Sequence, residues 1–425
     1  MTEVASEGPV AEEPESDAET EAEGGAVVET EVASGPVAAA DVTEVVEPNA
    51  PRSFAPAESV RPLELFFDLV FVFAITQIAS VLAARPTPQG LARMMTLLAI
   101  TWWMYGGYAW LTNALDLTRA RPRLLLLTGM AAFFVMSLAV PYSFNPGHWA
   151  LLLGGAYLVV VTVHAVGFVG TSGHRGIARI GPLNLISALI VLAAGIGPER
   201  WRLAGLAVAC LVEIVTPFVA GLGGFTVGVG HFVERHSLAV LILLGESIVE
   251  VGSASGREHD LVTVVAGSLL ALALTAAMWW LYFEREDHDS ERLLEHVAPQ
   301  RRARVALYSY GYAYYVVILG IAVAAVGAQK AIYSFTAQVH GWPAALLPLG
   351  VGLYLVGLGL FRYTLSGTWP VARLVAGVVA VAAGLPAARW GGGWVVLAAM
   401  TAVLVLLVLI DSRGTRPSRG VVKQK

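Results

Sequence analysis

The sequence predicts an all-α polytopic membrane protein of about 12 transmembrane helices, set out as two parallel six-helix repeats. Three observations carry that prediction. The chain is 56% hydrophobic and only 14% charged, with mean hydropathy +0.67, whereas soluble domains carry roughly 25% charged residues. Apolar stretches of about 20 residues, the length needed to cross a bilayer, recur along it. Its Lys and Arg residues gather in alternate connections, as cytoplasmic loops require.

Residues 1–60 precede the first apolar stretch. They hold 15 of the 32 acids against one base, Arg52, for a local charge of −14. With Phe54 as their one aromatic residue and no helical or strand period, they cannot bury enough apolar surface to offset the entropy of ordering. They are expected to form a disordered acidic tail, and they do not read as a secretory signal. The remaining chain holds 26 bases and 17 acids, a balance of +9. Cys210, in an apolar stretch, reads as a buried, inert thiol, and a lone cysteine excludes an intrachain disulfide.

A first six-helix repeat is expected over 61–225, with spans near 63–83, 91–111, 124–144, 149–170, 177–197 and 200–220. A second is expected over 226–411, with spans near 231–253, 261–283, 304–326, 342–361, 370–387 and 393–410, followed by a basic tail over 412–425. The 231–253 segment is the least apolar. Its Leu238–Leu244 run gains about 0.3–0.6 kcal/mol per large apolar residue, and a single acid at helix centre costs about 2.5–3.5 kcal/mol. Its neighbours must shelter it. With an even number of spans and the N-terminus cytoplasmic, 19 Lys and Arg residues fall inside and seven outside. The expected location is the plasma membrane, with both termini cytoplasmic. The polar connection 283–304 reads as a solvated linker, with enough charge pattern for a short amphipathic helix.

PLELFFDLVFVFAITQIAS (62–80) and FVERHSLAVLILLGESIVE (232–250) match at an offset of 170, which sets Glu64 on Glu234 and Thr76-Gln77 on Glu246-Ser247. Repeats in the same orientation place sites between the two halves. On a helix advancing 100° per residue, His231, Arg235, Glu246 and Glu250 fall within one 100° arc, with His236 outside it. Glu64 and Asp68, four apart, share a face of the first span; buried together they repel, and a nearby Arg relieves both. Arg235 is expected to bridge them if spans one and seven pack. Intramembrane acids usually face a cavity, an ion path or a proton relay. That makes Glu246, beside Ser247, and Glu213, one turn before Pro217, candidates for such a path. His231-x-x-Glu234 has one-turn spacing but no second cluster to complete a metal site. His164 reads as a satisfied core histidine, and Trp102, Trp103, Tyr105, Tyr108 and Tyr308 to Tyr315 read as packing or interfacial aromatics.

PLELFFDLVFVFAIT (62–76) together with HFVERHSLAVLILLGESI (231–248) resembles the bacterial low temperature requirement protein A family over residues 60 to about 410. The resemblance implies a multi-spanning plasma-membrane protein tied to growth in the cold. Its motif residues fall on Glu64, Phe66, Phe67, Asp68, Glu234, Arg235, His236, Gly245, Glu246 and Ser247. FFDLVFVFAIT (66–76) is also similar to the F-S-D first helix of a two-repeat potassium channel family, with Phe67 in place of the serine and no F-S-D in the second half.

The leading expectation is a transporter or channel for a small ion or solute, with Glu64, Asp68, Glu213, His231, Glu234, Arg235, His236, Glu246 and Ser247 forming the pathway or a buried charge network. A second reading is a non-catalytic membrane scaffold or sensor of cold or stress. A third is a membrane-embedded enzyme pairing His231 or His236 with Glu246. No Walker loop, nucleophile elbow or dinucleotide fingerprint is present. No cofactor, metal or nucleic acid is expected, and the partners are the lipid bilayer and a small ion or solute.

Overall fold

The computed structural model describes residues 60–254 and 261–414, which are helices joined by short connections, with no β-strand among the described residues. The acidic tail and most of the basic tail lie outside the described residues.

Each expected apolar stretch forms a helix. The first six are α1 (Pro62–Ala84), α2 (Pro88–Ala114), α3 (Ala120–Ala139), α4 (Trp149–Gly167), α5 (His174–Ile196) and α6 (Glu199–Ala220). Then come α7 (Val229–Ala254), α8 (Leu261–Tyr282), two short helices α9 (His288–His296) and α10 (Pro299–Ala306), and α11 (Tyr314–Tyr333), α12 (Pro343–Ser366), α13 (Val371–Trp390) and α14 (Gly393–Gly414). Local chemistry sets several starts. Pro62 and Pro88 occupy the first turns of α1 and α2, where a missing N–H removes no helical bond. Glu64 reaches back to the Arg61 backbone N–H at 3.0 Å, and Thr87 Oγ1 accepts from the Gly90 N–H at 3.1 Å.

Among the described residues, ten helices are long and apolar enough to cross a membrane. The other two long helices, α2 and α7, are not among the ten. In α2 the polar edges of Trp102, Trp103, Tyr105, Tyr108 and Trp110 dilute the hydropathy, and α7 carries Glu234, Arg235 and Glu246 among its described side chains. The ninth expected stretch also extends beyond its expected bounds, running helically from Pro299 to Tyr333 with a π-helical section at Leu307–Ala313.

α1 packs on α2 and α3, α3 on α4, α4 on α5, α5 on α6, and α6 returns to α2. In the same way α7 packs on α8 and α11, α11 on α12, α12 on α13, α13 on α14, and α14 returns to α8. α1 meets both α7 and α11, so the first helices of the two sets lie together at the centre. α11 is buried along nearly its whole length. It meets α12 so closely that a Cβ built on Gly320 would lie 2.3 Å from the Tyr354 backbone nitrogen. Small residues let helix backbones approach in this way.

The connection 283–304 departs from expectation. It folds into a π-helical turn followed by α9 and α10, and it docks rather than lying free in solvent. Glu286 is buried within it and pairs with Arg373 at 2.5 Å and Arg362 at 3.5 Å. Arg362 also pairs with Asp289 at 2.7 Å.

Candidate functional site

The starts of α1 and α7 and the end of α2 converge on one buried charge network. Its centre is Arg235, 0% exposed, between Glu64 at 1% and Asp68 at 0%. Nε and Nη2 of Arg235 each donate to Asp68 Oδ1 at 3.3 Å. Nη1 lies 3.5 Å from Glu64 Oε1 and donates to Thr112 Oγ1. The guanidinium lies over the rings of Phe67 at 5.2 Å and Tyr105 at 5.6 Å, and the Tyr105 hydroxyl donates to the Arg235 carbonyl at 3.4 Å. Burying so much charge is tolerable only when it is paired and hydrogen-bonded. The four-residue spacing of Glu64 and Asp68 puts both carboxyls on the face that α7 covers, as the sequence requires for an Arg235 bridge.

His231, one turn before Arg235, completes the cluster through its Nε2, 3.0 Å from Glu64 Oε2. Its Nδ1 lies 3.5 Å from Asn113 Nδ2. Asn113 also donates to the Gly228 carbonyl and accepts from the Gly228 N–H, at 3.2 and 2.9 Å, and so ties the end of α2 to the entry of α7. A cavity of about 290 Å³, lined in part by Arg61, Glu64, Asn113 and His231, reaches the network from this end. Beyond Asp68, Phe71, Trp102, Tyr105 and Tyr314 stack, with His236 edge-on to Tyr105 and Tyr314, in a buried aromatic layer. In the loop at the mouth, donors from the Thr118 hydroxyl and backbone N–H hold the Asp116 carboxyl below the usual carboxylate range.

Two carboxylates face one guanidinium here, which leaves one negative charge when His231 is neutral. Asp68 Oδ2 is buried without a close hydrogen bond among the described residues, although the Tyr105 hydroxyl also interacts with the Asp68 carboxyl. The cluster therefore has both the charge and the open oxygen to hold one more proton or monovalent cation.

The other candidates lie apart from it. Glu234 is exposed and accepts from the Val60 N–H at 3.1 Å. His236 donates through Nδ1 to the Phe232 carbonyl at 2.8 Å and sits within the aromatic layer. Glu246 is half-buried and about 16 Å along α7 from Arg235 at 1.5 Å per residue. Ser247 Oγ donates to its own Leu243 carbonyl at 2.9 Å. The Glu250 side chain lies outside the described residues. Glu213 belongs to a separate site among α4, α5 and α6, where it accepts from the Tyr157 hydroxyl and, at 2.8 Å, from Ser187. The α7 stripe is thus divided, with His231 and Arg235 in the network and Glu246 outside it. His164 also departs from expectation, for neither ring nitrogen has a partner among the described residues.

Sequence reasoning missed two further polar groups. Asp287 accepts from Ser237 Oγ at 2.5 Å, Ser237 lies 2.8 Å from the Tyr282 hydroxyl, and Tyr282 meets the Tyr314 hydroxyl, a hydroxyl chain running from the docked connection into the core. The Glu286–Arg373 pair is the other. Both draw on single polar residues from several helices, which leave no period in the sequence. The charged connection, with two acids flanking Arg285, was the available signal.

No solved structure matches the chain. It is similar to an uncharacterized protein of Rhizobium meliloti (strain 1021), 26% identical over 365 residues, covering 82% of this chain and 87% of that protein. The family model described as bacterial low temperature requirement A protein matches residues 59–409, which include α1, α7 and the whole buried network. Over that span, the chain belongs to the bacterial low temperature requirement A family.

Proposed function

We propose that this multi-pass helical protein moves a small ion across the plasma membrane, with the Glu64–Arg235–Asp68 cluster as its binding site. The observation that carries this reading is the charge imbalance that holds while His231 is neutral: two fully buried carboxylates against one guanidinium. In a medium of low dielectric a lone surplus charge is costly, so the cluster takes up a proton or a monovalent cation to balance it. His231 and Glu64 connect the cluster to the cavity and so to water. The aromatic layer beyond Asp68 closes the opposite side, which suits the occluded side of a carrier better than an open pore.

α2 and α7 complete twelve spans in this reading, and the recurring neighbour pattern of the two helix sets supports two parallel repeats related by an axis along the membrane normal. α1 and α7 are then equivalent helices meeting at that axis, where transporters of such construction hold their ligands. Both termini lie in the cytoplasm, so the cavity faces inward.

Purified protein reconstituted in proteoliposomes, assayed for proton, Na⁺ and K⁺ flux, tests the reading. Flux of one of these ions is expected. Asp68→Asn should abolish it, because the variant balances Arg235 with Glu64 alone and removes the charge deficit. Glu295→Gln, at an exposed position on the docked connection, should leave it unchanged. Folded protein that carries none of the three ions would overturn the reading and leave the network as a structural bridge in a membrane scaffold.

A further inference from the structure

A second buried polar feature lies away from the charge network. His164, on α4, is 4% exposed, and both its ring nitrogens are unpartnered among the described residues. It lines a cavity of about 80 Å³ whose wall also includes Trp102, Trp103, Trp110, Phe232 and His236. Gly107 lets the imidazole lie flat against α2, since a Cβ there would come within 2.8 Å of Nε2. His236 commits Nδ1 to the Phe232 carbonyl, which leaves Nε2 as its remaining polar atom. Asn184, also in the wall, accepts from Trp103 Nε1 at 3.3 Å and holds that indole in place.

The lining carries no carboxylate, ammonium or guanidinium, so nothing in it would neutralise an ion. Aromatic walls with a few convergent polar atoms suit a small apolar ligand oriented by one or two hydrogen bonds. A neutral imidazole offers one N–H and one lone pair, and a hydroxyl can answer either. Stacked and edge-on indole and phenyl faces favour an aromatic ring over an alkyl chain. An engineered apolar cavity of about 150 Å³ takes benzene. The smaller space here accepts a single ring only because it is unsealed, with Trp103, Trp110 and Phe225 half-buried at its margin. Phe225 also borders a surface recess formed by Val169–Arg175 and Gly224–Thr226, and so stands between the cavity and the outside.

From this we infer that the cavity is a binding site for a small phenol-like molecule, one aromatic ring bearing a hydroxyl, whose oxygen bonds to His164. The cavity shares Trp102 and His236 with the aromatic layer beside the ion site, but its test reads ligand binding and not flux, so either reading can fail without the other.

The test is a ¹⁹F NMR titration of the full-length protein in lipid nanodiscs with 4-fluorophenol and with fluorobenzene, using empty nanodiscs as the reference for partitioning. The two probes share a ring and differ by the hydroxyl. Saturable binding of 4-fluorophenol at one site per chain is expected, about tenfold tighter than fluorobenzene, the scale of one net hydrogen bond. His164→Leu should bring the two affinities together, and His164→Gln, which keeps polar atoms near the same place, should restore part of the preference. Equal affinities in the wild-type protein, or no saturable signal above empty nanodiscs, would overturn the inference without recourse to a variant. A preference that survives in folded His164→Leu would overturn it as well.

Discussion

Arg235 is fully buried, and its charge is met by side chains from other helices. Removing one partner of a buried ion pair strands the rest, at about 3–5 kcal/mol. Arg235→Leu should destabilise the protein on that scale, because it leaves two buried carboxylates side by side on one face of α1. Adding Glu64→Gln and Asp68→Asn removes that repulsion, so the triple variant should unfold at a higher temperature than Arg235→Leu alone. Equal melting temperatures would show that packing rather than charge sets the loss. Glu213 answers to different neighbours. Glu213→Leu leaves the Tyr157 hydroxyl without its acceptor and Ser187 with the Ala209 carbonyl at 3.3 Å, an expected loss of about 1–3 kcal/mol for the stranded tyrosine. Glu213→Gln keeps an acceptor oxygen and should lie much closer to wild type in a thermal melt. The bridge from Arg235 to Glu64 and Asp68 was legible in the sequence, since i, i+4 spacing fixes a common face and buried acids demand a cation. Thr112 and Asn113 were not. They lie at the far end of α2, and only the antiparallel return of that helix brings them beside α7.

At the scale of elements, α7 is the informative case. It carries Glu234, Arg235 and Glu246, yet it lies at the centre against α1, α2, α8 and α11. Burial by neighbours, not its own composition, makes a helix with this much charge tolerable there. The α11–α12 contact depends on the absence of side chains. Gly320→Ala places a methyl group where the Tyr354 backbone already lies, so the helices must separate, at about 1–3 kcal/mol of overpacking. Gly106→Ala, where a Cβ meets open space, serves as the control and should cost only what an ordinary surface substitution does. The docked connection is held by Glu286. Glu286→Ala strips Arg373 of its nearest counter-ion and leaves it Asp411 at 3.5 Å, so limited proteolysis should cut 283–304 faster than in wild type. The charges of that segment suggested a solvated linker because sequence carries no record of the buried arginine waiting on α13.

For the whole molecule, the orientation proposed from the distribution of Lys and Arg has both termini in the cytoplasm. Cys210 is buried, so single cysteines added at the surface can report sidedness with little background. Arg389→Cys should react with a membrane-impermeant maleimide in intact cells, and Arg121→Cys only after permeabilisation. The reverse pattern would invert the topology and turn the cavity at Glu64 outward. An all-helical membrane body and its family were determined by sequence alone, because hydrophobic length and paired local motifs are written along the chain and need no partner to be read. Packing between distant helices is what leaves Glu246 outside the charge network, sets His164 unpaired beside a cavity, and lets Glu286 dock its connection. Each of those facts depends on which distant helix stands opposite a given face, and the period of a single helix says which residues share a face but not what that face meets.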